Sequence, residues 1–286
     1  MTNKTTSVVI LTFNCQEIIK ETISAATRIA ADVVVVDSFS TDETVTIAKQ
    51  LGCIVYQRPF KNYSDQRNWI INELNTKYCW QLHLDADEVL DETSISEIKQ
   101  IITQDPRGEN PQTYMIRRVD YFMGRVLKHS GVNPWHLRLF TSGQGACEDR
   151  LYDQHFVGRV PSKKLKGYMH DKNSLSLSDW IARHNRWADL EAQEAITPPE
   201  SGKDVLHGKL NGDARERTRF LKKLYYRAPI GIRPLAYFFY RYIYKLGFLD
   251  GTHGFLFAFF QALWFRMLVD AKIYEHQNYQ TNNLAK

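Results

Sequence analysis

The residues best suited to chemistry are Asp85-Ala86-Asp87-Glu88, which follow directly on the apolar run Tyr78 to Leu84. A hydrophobic strand that runs into three carboxylates is poor core material. In open α/β sheets, ligands bind just beyond the carboxyl ends of the strands. Two aspartates one residue apart can share one hard cation, whose remaining ligands are water and substrate phosphates. A second acidic pair, Glu148-Asp149, follows about sixty residues later in Gly145-Ala146-Cys147-Glu148-Asp149-Arg150. Taken alone, Asp-x-Asp also fits a solvated turn before a helix starting near Thr93. The elements upstream give it more weight.

Ser7 to Phe13 is a continuous, largely β-branched run, as expected of a strand covered on both faces, and Asn14 ends it. Glu17 to Ala30 carries apolar residues at helical spacing. Asp32 to Val36 is a second buried strand, ending in Asp37. Ser40-Thr41-Asp42-Glu43 has the form of a capping box for a helix reaching Leu51, closed by Gly52. Cys53–Gln57 reads as a strand, Tyr63–Leu74 as a helix and Tyr78–Leu84 as a strand. Strands alternating with helices indicate βαβ units on a parallel sheet with right-handed crossovers. Asn14, Asp37 and Asp85/Asp87 then share one sheet edge, where a nucleotide would sit with a metal beside it. Further on, Thr93–Thr103 reads as a helix. Thr113–Tyr121 and Leu137–Phe140 read as strands, separated by a Gly/Pro/His-rich loop from Gly124 to Trp135 that, flanked by His129 and His136, would suit a mobile lid. A helix opens at Ser176 or Ser178 and reaches Ile196, and Thr197 to Gly202 is a breaker cluster and expected boundary.

The chain has 286 residues, 43% of them hydrophobic, enough for one large domain with an appendage. From Ser201 onward there are 14 Lys/Arg against 6 Asp/Glu, so that third carries +8 within a chain of net +5, and the remainder is mildly acidic. Cys15, Cys53, Cys79 and Cys147 lack metal-ligand spacing and read as buried thiols of a reducing compartment. Met1 to Asn14 does not have the form of a signal peptide. Arg215–Lys245 holds nine Lys/Arg and one acid among many aromatics, and Thr252–Phe265 is uncharged and rich in Phe. As a helix those 14 residues span about 21 Å, short of the ~30 Å hydrocarbon core. No ordinary transmembrane helix is expected. Basic and aromatic residues beside a short apolar helix describe a segment lying in an anionic membrane interface, here residues 215–270. Packing on the sheet domain, or a self-interface in a homo-oligomer, remains the alternative. Nucleic acid does not suit the Phe-rich run.

Three stretches, Ser7 to Asn14, Val34 to Thr44 and Leu84 to Glu88, resemble the successive motifs of family 2 glycosyltransferases in order and spacing. More narrowly, the chain resembles bacterial lipopolysaccharide-core and surface-polysaccharide glucosyltransferases, including the tail Gly247-Phe248-Leu249-Asp250-Gly251 before an aromatic helix. The resemblance implies an α/β GT-A fold over residues 1–196, with a nucleotide half to about 92 and an acceptor half beyond. Residues 197–286 would be a helical membrane-interface appendage.

By resemblance, Thr12, Phe13 and Asn14 border the nucleotide, and Asp37 binds uracil or ribose with Ser38 nearby. Asp85 contacts ribose or the metal's water shell, and Asp87 ligates Mg²⁺ or Mn²⁺. Asp149, with Glu148 close behind, is the candidate base. Arg150, His136 and His170 are candidates for the acceptor or phosphate side. The usual Asp-Asp-Gly-Ser is Asp37-Ser38-Phe39-Ser40 here, which weakens any inference about the base. The Gln-x-x-Arg-Trp motif of processive members is missing, so transfer of a single sugar is expected. The implied reaction is inverting transfer from a UDP-sugar, a hexose such as glucose, to a lipid-linked or lipopolysaccharide-core glycan at the cytoplasmic membrane face. A nucleotidyl- or phosphotransferase would need a phosphate loop, and no G-x-x-x-x-G-K-[ST] occurs. A non-catalytic nucleotide-sugar-binding protein remains the other alternative.

Overall fold

The computed structural model describes residues 4–30, 32–172, 176–197 and 206–284, with side chains to residue 278. Four strands form the parallel half of the sheet: β1 (Lys4–Thr12), β2 (Asp32–Asp37), β3 (Ile54–Gln57) and β4 (Tyr78–Asp85), in the order β3-β2-β1-β4. Helices α1 (Ile19–Ala26), α2 (Thr44–Gln50) and α3 (Tyr63–Leu74) are the crossovers. Val8, Ile10, Val33, Val35, Leu82 and Leu84 pack with Ile19 and Ile23 of α1 on one face. Val9, Leu11, Val34 and Val36 pack with Ile70 and Leu74 of α3 on the other. Burial on both faces is why these strands read as unbroken apolar runs.

Register sets the site. Thr12 lies opposite Asp37, and Leu11 lies opposite Asp85, so the strand ends form one row at the carboxyl edge. Beyond β4 the sheet turns mixed. It adds β8 (Trp135–Thr141), β6 (Thr113–Phe122), β11 (Ser162–Asp171) and β5 (Glu88–Leu90), with β7 (Arg125–Val126) beside β6. Helix α4 (Glu92–Gln104) is capped by Asp91, whose side chain accepts from the Ser94 amide at 2.7 Å. A separate ribbon pairs β9 (Gly145–Cys147) with β10 (Phe156–Gly158).

The C-terminal region contains α5 (Leu177–Ile196), α6 (Ala214–Arg227), α7 (Ile232–Phe239), α8 (Gly251–Phe257) and α9 (Phe265–Leu284). A π-helical stretch, Ala258–Trp264, joins α8 to α9. Ala188 and Ala192 of α5 pack on Phe265, Val269 and Ile273 of α9. Helix α5 thus shares a core with the tail across the boundary expected after residue 196. The breaker cluster itself lies outside the described residues except for Thr197. Among the described residues, one helical run, Gly247–Asn278, is long and apolar enough by length and composition to cross a membrane. It is longer than the 14-residue stretch read from the sequence, because the helix continues through the charged residues Arg266 and Asp270. Its buried face lies against α5.

Two local expectations are corrected. Ser40 does not cap α2: its amide and hydroxyl both donate to Asp37, and the residue before α2, Glu43, makes no side-chain cap bond. The Gly124–Trp135 loop is not a free lid. Asp250 accepts from the amides of Lys128, His129 and Ser130 at 3.1, 2.9 and 2.7 Å and from the Ser130 hydroxyl. Asp120 holds the loop's other end by accepting from the amides of Val132 and Asn133.

Candidate active site

The site lies on the carboxyl edge and has three components. The first is the pair of turns after β1 and β2. Asn14 and Phe39 both adopt left-handed backbone, φ 45° and 61°. The Asn14 side-chain carbonyl accepts from the Thr41 amide at 2.8 Å, and the Asn14 amide donates to Ser40 Oγ at 2.9 Å. Asp37 is fully buried and accepts from Thr12 Oγ1 at 3.0 Å, the Ser40 amide at 2.8 Å and Gln57 Nε2 at 3.3 Å. Its carboxylate thus organises the two turns from within, rather than projecting into the crevice as expected. Ser38 is tied to Thr12 O through its amide and accepts from Gln66 Nε2. Phe13 and Phe39 remain exposed, at 61% and 50%. Two such rings at one strand edge offer stacking faces for a planar base.

The second component is the acidic cluster after β4. Asp85 accepts from Arg67 of α3 at one oxygen and from Arg138 of β8, at 2.8 Å, at the other. Burial works against its charge, but Arg138 and Arg67 more than offset this and hold it below the usual carboxylate range. Arg138 also grips buried Glu88, whose second oxygen accepts from the Asp85 amide at 2.9 Å. Asp87 has no such clasp among the described residues. Burial pushes it up to about 8, with Asp171, Asp85 and Glu88 adding repulsion and Arg183 of α5 opposing. Asp171, at the end of β11, is brought alongside because β11 pairs with β5 and the Lys172 amide donates to Asp87 O. One Asp171 oxygen is buried without a hydrogen-bond partner, as is Arg183 Nε. Arg118 lies 3.5 Å from the other Asp171 oxygen. Tyr63, first residue of α3, is half-exposed as a whole, and loss of solvent around its phenol, then the charges of Asp85 and Asp87, push it up.

This donor set fits a divalent ion held jointly with a substrate. Among the described residues no group of three or more His, Cys, Asp or Glu side chains forms a self-sufficient metal cage. A lone uncompensated carboxylate with a second beside it is what remains when phosphate oxygens complete the shell. Asp87 matches that description better than Asp85, both of whose oxygens are taken.

The third component is the loop between β9 and β10. Asn68 of α3 bonds both the amide and the carbonyl of Cys147 at 2.8 Å, fastening β9 to the helix that carries Arg67 and Tyr63. Glu148 is fully buried and paired with Arg219 of α6. Burial raises it, with Arg219 opposing. Asp149 is exposed, and its side chain has no partner among the described residues. Of the two acids, only Asp149 is free to meet a substrate. Arg150 turns away from the crevice to pair with Glu194 of α5 at 2.9 Å.

The two histidines fall elsewhere. His170 bonds Tyr121 Oη at 3.1 Å on the opposite side of β11, beside α1, in a recess also lined by Glu21, Arg28 and Glu92. Its neighbour Asp171 faces the site, as the pleat requires. His136 lies 6.0 Å from His155 between ring centroids, its Nε2 enclosed without a partner, and burial pushes it well below its ordinary value. Arg67, Arg138, Asp171, Arg183 and Tyr63 were not foreseen. The one sequence signal for them was a polar residue at the very end of the apolar-alternating stretch Leu165 to Asp171.

The family model described as Glycosyl transferase family 2 matches residues 7–164, more than half of the chain. An uncharacterized glycosyltransferase of Rickettsia typhi is 38% identical over 205 residues, covering 68% of each chain. One of Rickettsia bellii is 27% identical over 274 residues, 91% of this chain and 84% of that one. Among solved structures, Staphylococcus aureus TarS 1–349 is similar with a TM-score of 0.44 at 14% identity, covering 96% and 91% of the two chains. Glucosyl-3-phosphoglycerate synthase of Mycobacterium tuberculosis, solved with Mn²⁺ and UDP-glucose, is similar at a TM-score of 0.32 and 20% identity over 40% and 44%. The chain belongs to glycosyltransferase family 2. It is a glycosyltransferase, its mixed α/β sheet followed by a helical C-terminal segment.

Proposed function

We propose that this glycosyltransferase moves one hexose from a UDP-sugar to a lipid-linked or lipopolysaccharide-core acceptor, with inversion and with a divalent cation. The observation that carries the reading is two carboxylates without a bonding partner among the described residues, Asp87 after β4 and Asp149 in the β9–β10 loop that Asn68 fastens to α3, each close in sequence to an acid that is neutralised by arginine. Phe13 and Phe39 would face the base, over turns held by Asp37 and Asn14. Asp87 would hold Mg²⁺ or Mn²⁺ with Asp171 beside it, and the ion's chemistry is to neutralise charge developing on the leaving diphosphate. Arg183, with a free buried Nε, can donate to the same phosphates. No protonating acid is needed for such a leaving group. Asp149 takes the proton from the acceptor hydroxyl as it attacks the anomeric carbon from the face opposite the diphosphate.

A position on the inner face of the cytoplasmic membrane is supported by the tail. Ile232, Phe239, Ile243, Tyr244 and Leu249 are exposed at 62, 58, 51, 74 and 55%, with Lys245 among them. A surface of that composition suits the headgroup region of an anionic bilayer. Titration calorimetry with UDP, with and without Mn²⁺, tests the donor half of the reading. Wild-type protein should bind UDP in a Mn²⁺-dependent way and Asp87→Ala should not. Absence of binding by folded wild-type protein, with GDP or dTDP binding instead, would replace the donor assignment.

A further inference from the structure

The candidate base sits on a loop that the C-terminal helices build. Residues 148–155 connect β9 to β10, and every charged residue in this loop except Asp149 is gripped. Glu148 accepts at one oxygen from the His155 amide at 2.9 Å and from Arg219 at 2.5 Å, and at the other from the Leu206 amide at 3.2 Å. Arg150 pairs with Glu194 of α5. Tyr152 packs between Trp187 of α5 and Phe265 of α9, centroids 6.0 and 6.4 Å away, with Lys222 of α6 5.2 Å from its ring. Asp153 meets Arg219 at 3.3 Å and Lys222 at 3.7 Å. Arg215, one turn before Arg219, donates to Phe156 O at 2.5 Å. Residues 148, 150 and 152 point into the helices, while 149 and 151 are exposed.

We propose that Arg219 of α6 is a positioning residue that acts through buried Glu148 to hold Asp149 against the acceptor hydroxyl, which makes the C-terminal helices an integral component of the active site. The inference rests on Asp149 being the base. The physical reason is adjacency: Glu148 is buried and bonded from three sides, which fixes the backbone from which the exposed Asp149 projects. Misplacing a reacting group by about 1 Å can cost about 100-fold in rate.

The test compares wild type, Arg219→Ala, Arg219→Lys, Asp149→Asn and the double variant Asp149→Asn/Arg219→Ala. Turnover is measured with UDP-glucose, Mn²⁺ and lipopolysaccharide-core oligosaccharide. Arg219→Ala should lose about 100-fold in kcat with KM for UDP-glucose changed no more than about twofold, and Arg219→Lys should recover some of the loss. The double variant should be no slower than Asp149→Asn, because the two changes remove one function. Hydrogen exchange gives a readout that needs no substrate. The amides of 148–155 should exchange faster in Arg219→Ala while those of β1 and β4 stay protected.

If Arg219→Ala turns over normally beside an inactive Asp149→Asn, the proposal alone is overturned. If Asp149→Asn turns over normally, the base assignment falls and the proposal with it. An equal loss from Arg219→Ala in the Asp149→Asn background, or unchanged exchange in the loop, also overturns the proposal. Should Arg219→Ala not fold, Arg150→Gln loosens the same loop at its contact with α5, and unchanged kcat there counts against the proposal.

Discussion

The pair Asp85 and Asp87 after β4 and the pair Glu148 and Asp149 after β9 are built alike and supported differently. In each pair one carboxylate is neutralised by arginine and the other is left unpaired. The clasp on Asp85 comes from Arg67 and Arg138, which belong to a helix and a strand of the sheet domain. The clasp on Glu148 comes from Arg219, on a helix that follows the sheet domain in sequence. The clasp after β4 is therefore built within the sheet domain, and the clasp on Glu148 depends on the tail. The pairing also shows how a free carboxylate is kept close to others: the neighbour's charge is cancelled first.

The sharpest way to break the symmetry is to remove the free acids. Asp149→Asn should lower transfer by about 1,000-fold while Mn²⁺-dependent UDP binding persists, whereas Asp87→Ala should lose both. Coincident losses in both assays for both variants would merge the two roles. Next in size are the clasps. Arg138→Leu leaves Glu88 and Asp85 without their shared partner and should cost about 3 kcal/mol in urea denaturation. Cutting the link from loop to tail should cost less: Asp250→Ala frees three amides and should cost about 1–3 kcal/mol, with faster exchange confined to 127–133.

The smallest expected effect is a pH dependence. Asp87 is pushed up to about 8 from an ordinary 3.8, so without metal it binds more protons folded than unfolded between those values. Its contribution to stability is fully present below about pH 4 and is lost as pH rises through about 8. Asp87→Asn should thus raise the Tm of metal-free protein at pH 8 by about 3 °C and leave it nearly unchanged at pH 4. Mn²⁺ with UDP should stabilise wild type most at pH 8.

Sequence reading reached the donor side further than the acceptor side. Helix α3 was read at Tyr63–Leu74 as found, and β1, β2 and β4 were legible because burial on both faces leaves an apolar run. Strand β11 was not, because Lys163, Lys164, Lys166 and Tyr168 are exposed and only Leu165, Gly167 and Met169 are buried along it. That omission put His170 forward in place of Asp171, an error of one residue that the pleat turns into the opposite face. Arg67, Arg138 and Arg183 were invisible for another reason. A single arginine in a helix or strand reads as a solvated cation until its partner, here 18 or 53 residues away for Asp85, is known. The capping-box pattern at Ser40 was real as a pattern, but Asp37, only three residues earlier, competed for the same hydroxyl and won.

The bonds from Asp250 to the 128–130 amides close over 120 residues or more of chain. Contacts of such separation are slow to form and cannot form before both ends exist. During synthesis, the strands and helices that hold the nucleotide edge can assemble while the ribosome is still making the tail. The 128–130 turn and the loop bearing Asp149 gain their partners only once residues beyond 200 have been made. A nascent chain can thus form the sheet before these two loops are pinned to it.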